Sequence, residues 1–231
     1  MELKKYPIDY VAYEILNEPV ANNPEDWNQL LTQTIHEIRK EEPNRKIVVG
    51  SNRWNSVNTF EDLQFPANDK NLILSFHFYS PHVFTHYKAP WSKKVGFYKG
   101  PVKYPGKPIN EEDLEGYPED QKKSLLEDNV EYSKEHMQAK MAQAIAVANR
   151  HGLKLYCGEF GSYPSTLEKD RLTWYKDMIS IFEANNIAWA NWDYKGGFGV
   201  VNSRNEPNQK LVNALLNKSK SSGTEKSKKT E

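Results

Sequence analysis

Val11-Ala12-Tyr13-Glu14-Ile15-Leu16-Asn17-Glu18-Pro19 is the stretch that organises the chain. It opens as an apolar, β-prone run and closes on a carboxylate followed by proline. Proline has no backbone N–H to give to a sheet ladder, so a strand entered at Val11 ends before Pro19. Glu18 is thereby placed at the C-terminal mouth of a strand, where a second carboxylate would make a reactive pair. Read alone, Glu18 has a plainer role as an acidic group favoured by the dipole of the following helix.

Working outward, residues 1–10 read as a helix end and a loop. Residues 24–42 carry Trp27, Leu30, Leu31, Ile35 and Ile38 at helical spacing, with Pro43 as a stop. Residues 46–50 form a second short strand, residues 51–55 the loop after it, and residues 71–79 a third strand. The irregular segment from residue 80 to about 117 is rich in proline, glycine and aromatic residues. Loops of that length are functional or disordered. Phe84, Trp91, Phe97, Tyr98 and Tyr104 make it too aromatic for disorder, so it is expected to fold over a cleft rim.

Residues 129–151 read as a helix with Val130, Met137, Met141, Ile145 and Ala148 on one stripe, and Gly152 stands where a C-cap glycine belongs. Residues 154–158 are a fourth strand running into Glu159. Residues 167–186 are a helix with Leu172, Tyr175, Ile179 and Phe182 inward, residues 187–192 a fifth strand, and residues 207–217 a closing helix. Strands alternating with helices imply parallel units. Five strands against the eight of a closed barrel define the expected fold: α/β, a partial (β/α)8 barrel with flanking helices and the first three βα units missing. Residues 1–217 are read as one catalytic domain and 218–231 as a disordered polar tail.

Composition narrows the function. The 231 residues suffice for a sizeable core, and Lys+Arg and Asp+Glu are both 31. Net neutrality argues against nucleic acid as a partner, which calls for a basic surface. No window approaches a membrane span and no apolar leader segment follows Met1, so neither a membrane partner nor a signal peptide is read. A single cysteine, Cys157, excludes an intrachain disulfide. The 6 Trp and 13 Tyr serve either core packing or a sugar-binding cleft, where flat rings cover pyranose faces.

Glu159, in Leu155-Tyr156-Cys157-Gly158-Glu159-Phe160-Gly161, is the second carboxylate. Two carboxylates at the mouths of parallel strands suit glycoside hydrolysis, one protonating the leaving oxygen and the other attacking the anomeric carbon or activating water. Four motifs in order carry a resemblance: Ile15-Leu16-Asn17-Glu18-Pro19, His77-Phe78-Tyr79, Gly158-Glu159-Phe160-Gly161 and Trp189-Ala190-Asn191-Trp192. Together they resemble glycoside hydrolase family 5, the cellulases and related β-glycanases built on (β/α)8 barrels, over residues 11 to about 217. The resemblance implies Glu18 as general acid/base and Glu159 as nucleophile. It also implies substrate-binding roles for Asn17 on the sugar 2-hydroxyl and for Trp192 as a stacking platform. His77 would orient the groups around the acid/base, and Tyr79 would hydrogen-bond the nucleophile. The acid needs a raised pKa and the nucleophile must stay ionised. Retention predicts carboxyl groups ~5–5.5 Å apart.

The chain departs from the family in lacking the Arg and the His supplied by its second and third strands. Glu14 shares the parity of Glu18, so it is expected to point into the barrel as a buried charge whose partner lies on the absent half. The chain is accordingly read as a piece of a longer enzyme. His77, His82 and His86 are read as structural or rim histidines, with no metal, and no cofactor is implied. Gly196-Gly197-Phe198-Gly199 is the turn after the last strand, and Trp54, Trp91 and Phe198 are divided between sugar stacking and packing.

The expected function is retaining cleavage of internal β-1,4-glucan linkages, in a polysaccharide or oligosaccharide of β-glucan. Mannan or xyloglucan specificity, or a carbohydrate-binding remnant without turnover, stands as the alternative. Self-association through open sheet edges is a further expectation. Export follows from the resemblance alone.

Overall fold

The computed structural model describes residues 2–216, so the polar tail expected from residue 218 lies outside the described residues. Its frame is a five-stranded parallel sheet in sequential order: β1 (Tyr13–Glu14), β2 (Ile47–Gly50), β3 (Leu72–Phe78), β4 (Lys154–Phe160) and β5 (Ala188–Asn191). The helices are α1 (Pro24–Glu41), the single turn α2 (Asn52–Asn55), α3 (His82–Thr85), α4 (Glu119–Leu126), α5 (Lys134–His151), α6 (Glu168–Ala184) and α7 (Gln209–Leu215). Strands curve round one concave side while helices cover the other, which is the half-barrel expected of a partial (β/α)8 fold.

Local chemistry sets the helix ends. Asn23 caps α1 by accepting from the Glu25 backbone N–H, and Pro24 takes the first helical position, where its missing N–H is harmless. Trp27, Leu31, Ile35 and Ile38 are buried, but Leu30 is exposed, so the stripe is narrower than its hydrophobic pattern. α5 starts at Lys134 instead of residue 129, because the Ser133 hydroxyl accepts from the His136 N–H and stops the helix there. Val130 is consequently outside the helix and exposed. Gly152 closes α5 in the left-handed conformation at φ 62°.

The core lies between sheet and helices. Leu74, Phe76 and Phe78 of β3 and Leu155, Cys157 and Phe160 of β4 are buried there. Phe160 packs against Trp174, Tyr175, Phe182 and Trp189, with ring centroids 5.0 to 6.2 Å away. The segment after β3 is ordered: Phe84, Tyr98 and Tyr104 are buried, while Trp91 is exposed at the cleft.

β1 has two ladder residues, not the seven of residues 11–17, because it is an edge strand that leaves the sheet at Ile15. Glu14 corrects the expectation of a buried charge. It is exposed, and it lines a cavity of about 870 Å³ with Val48, Ile73 and Tyr156 of the sheet and Ile145 and Ala148 of α5.

Candidate active site

Glu18 sits past the end of β1 at φ 49°, a left-handed conformation unusual for a side-chain-bearing residue and more so before proline. Such a residue costs about 1–3 kcal/mol and persists where its surroundings hold it. The hold comes from the loop after β2. Trp54 N–H donates to the Pro19 carbonyl (3.2 Å), and the Asn52 amide bridges both backbone groups of Ala21 at 2.8 and 3.0 Å.

On β4, strict alternation would put Glu159 on the same face as Cys157, in the core. The register between β3 and β4 slips instead, pairing Phe76 with Cys157 but His77 with Glu159. Gly158 is the extra residue of this bulge, which turns Glu159 to the concave face while Cys157 and Phe160 stay buried. A Cβ on Gly158 would lie 3.0 Å from Ser75 Oγ and 3.2 Å from His77 Nε2, so the glycine also clears space for the histidine.

The four side chains meet at the strand mouths. His77 Nδ1 is 2.9 Å from Glu18 Oε1 and 3.6 Å from Glu159 Oε2. The Tyr79 hydroxyl donates to Glu159 Oε2 at 2.9 Å. Glu18, His77 and Glu159 offer atoms all within 4.8 Å of one another, a donor set of the kind that holds a metal ion.

Burial pushes the Glu159 carboxyl above its ordinary range, with His77 and the Tyr79 hydrogen bond pulling it down and Glu18 and Glu14 adding to the rise. The upward push thus falls on the residue expected to stay ionised. Burial and Glu159 drive the Tyr79 hydroxyl far above the usual phenol range, so it remains a donor.

Asn17, Glu18, Tyr79, Glu159 and Trp192 line one cavity of about 440 Å³ together with Trp91. A second, of about 410 Å³, continues from Tyr79 and His77 past Trp54. All six residues singled out in the sequence are therefore gathered at one place. Trp54 and Trp91 are exposed along it, whereas Phe198 is buried and packs on Tyr79, His86 and Trp91. His82 and His86 stack on each other with centroids 4.1 Å apart. Burial takes His82 down to about 4 and His86 to about 3, which keeps both neutral and suits rim histidines. Sequence reasoning missed Asn55 and the bulge at Gly158. The single available signal was glycine inside a strand.

A parallel half-barrel with two carboxylates at its C-terminal mouths defines a class, the barrel glycosidases. The family model for cellulase (glycosyl hydrolase family 5) matches residues 4–197. Endoglucanase C of Acetivibrio thermocellus is 34% identical over 212 residues, covering 90% of this chain and 61% of that protein. The crystal structure of Thermotoga maritima Cel5A in complex with cellobiose superposes with a TM-score of 0.74 at 28% identity, over 92% of this chain and 61% of that one. The cellulose synthase subunit Z of Clostridioides difficile gives 0.76 at 25% identity, over 93% and 64%. The chain belongs to glycosyl hydrolase family 5, and it spans about three-fifths of the length of these relatives.

Proposed function

We propose that the protein is a retaining glycoside hydrolase acting on internal β-1,4 linkages of a cellulose-like glucan. The observation that carries this is the carboxylate pair, with oxygens of Glu18 and Glu159 within 4.8 Å. That approach is nearer the ~5–5.5 Å carboxyl separation of a retaining pair than the ~6.5–9.5 Å of an inverting one, and it supports direct attack.

In this reading the Glu159 carboxylate attacks the anomeric carbon as Glu18 gives its proton to the departing sugar oxygen. Glu18 then takes a proton from water, whose oxygen displaces Glu159 and restores both groups. Tyr79 steadies the ionised nucleophile, and His77 holds Glu18. Asn17 takes the 2-hydroxyl and Trp192 stacks on a sugar ring. The groove running past Trp54 on one side and Trp91 and Trp192 on the other supports a polymer bound across the site. Such a polymer cannot enter a cell, which supports action outside it. Neither a cofactor nor a metal enters the chemistry.

A second reading, sugar binding without turnover, is favoured by one observation. Burial raises Glu159, and among the described residues no arginine pairs with it. Reducing-sugar release from carboxymethyl cellulose separates the two. Wild type is expected to exceed Glu159→Gln by roughly 10⁴-fold, the scale of losing a nucleophile. Equal background from both, with retarded migration in a cellulose-containing gel, would establish binding alone.

A further inference from the structure

His77 has two ring nitrogens, and the second is held as deliberately as the first. Nδ1 faces Glu18 and Glu159, while Nε2 lies 3.2 Å from the side-chain nitrogen of Asn55. Asn55 is fully buried, and its Oδ1 has no hydrogen-bond partner among the described residues. A considerable local arrangement places this amide. Arg53, Trp54 and Asn55 occupy the left-handed region in succession, at φ 57°, 62° and 52°. Such residues each carry strain, and asparagine tolerates the region best among those with a side chain. The turn is pinned from outside by Asn52 on Ala21 and by Trp54 N–H on Pro19, the segment that carries Glu18. Gly50 beneath it must lack a side chain, because a Cβ there would stand 2.3 Å from Asn55 Oδ1.

We propose that Asn55 is a positioning residue that sets the tautomer of His77. Nδ1 faces two carboxylate oxygens, which only accept, so the ring proton sits there, and Nε2 is left to accept from the Asn55 amide nitrogen, which only donates. That proton is directed to Glu18 Oε1, the nearer carboxylate, which fixes one oxygen of Glu18. The consequence for turnover rests on the glycosidase reading; the tautomer itself does not.

The test uses the full chain labelled with ¹⁵N, reading His77 in long-range ¹H–¹⁵N correlation spectra at neutral pH. Wild type is expected to show protonated Nδ1 and bare Nε2. Asn55→Gly keeps the left-handed turn, removes the amide and is expected to give averaged signals from both tautomers. Asn55→Asp supplies only acceptors, so a proton should appear on Nε2. In carboxymethyl cellulose hydrolysis, Asn55→Gly should lower kcat about tenfold with KM within about twofold, the pattern of an interaction used in the transition state. Wild type protonated on Nε2, or a tautomer unmoved in both variants, would overturn the proposal. Absence of turnover in wild type with the expected spectra would sink the glycosidase reading and leave the tautomer assignment standing.

Discussion

At the scale of single residues, Glu159 is pulled in opposite directions. Desolvation raises its carboxyl, and Tyr79 and His77 lower it. Tyr79→Phe deletes one downward pull. The Glu159 carboxyl should rise further, the acid limb of kcat/KM should move to higher pH, and kcat/KM on the acid side should fall about tenfold, the scale of one hydrogen bond to a charged group. A pH–rate profile unchanged in Tyr79→Phe would remove Tyr79 from the ionisation of Glu159. Stability gives a second readout of the same residue. A carboxyl raised in the folded state holds its proton more tightly there than in the unfolded chain. Its stabilising contribution is complete below the unfolded range and is lost as pH rises through the folded value. Glu159→Gln escapes that loss. Its urea midpoint should exceed wild type at neutral pH, and the gap should close as pH falls below the ordinary carboxylate range. A gap independent of pH would show that desolvation of Glu159 is not what strains the native state.

At the scale of elements, the bulge in β4 decides which carboxylate reaches the cleft. Gly158 lets β4 take one extra residue, so Cys157 and Phe160 both point to the helices and Glu159 points away from them. Gly158→Ala would press a Cβ against Ser75 Oγ and His77 Nε2, and the His77 side chain, almost wholly buried, has little room to yield. The expected outcome is a loss in kcat of about tenfold or more from misplacement of His77, with overpacking of about 1–3 kcal/mol seen in thermal unfolding. Kinetics matching wild type would show that the clearance at Gly158 is not needed. The loop after β2 works on the same site from the other side, since one turn ties to Pro19 and Ala21 and also reaches His77.

At the scale of the whole molecule, stability comes from the layer between sheet and helices, where the buried apolar side chains form one cluster. Phe160 is a keystone of that layer, fully buried among four aromatic rings of α6 and β5. Phe160→Ala should cost about 3–5 kcal/mol, a large share of the roughly 5–15 kcal/mol that holds a folded domain. Soluble, cooperatively folding Phe160→Ala protein with an unchanged melting temperature would place the stabilising core elsewhere.

The strand and helix plan was legible because hydrophobic spacing and proline or glycine punctuation are local properties, and the order of elements then implied a parallel half-barrel. The gathering of the six candidate residues was legible for a related reason: each stands at or just beyond a strand end, where motif and topology agree. Other features depended on neighbours distant in the chain. The edge position of β1 cuts its ladder to two residues and leaves Glu14 exposed. The register slip opposite His77 turns Glu159 out of the core. The pairing of Asn55 with His77 joins residues that share no motif. Periodicity along one strand carries no information about the strand beside it. The sequence by itself therefore determined which residues gather at the strand mouths, and the tertiary structure alone decided which way they face, what burial does to Glu159, and which group meets each ring nitrogen of His77.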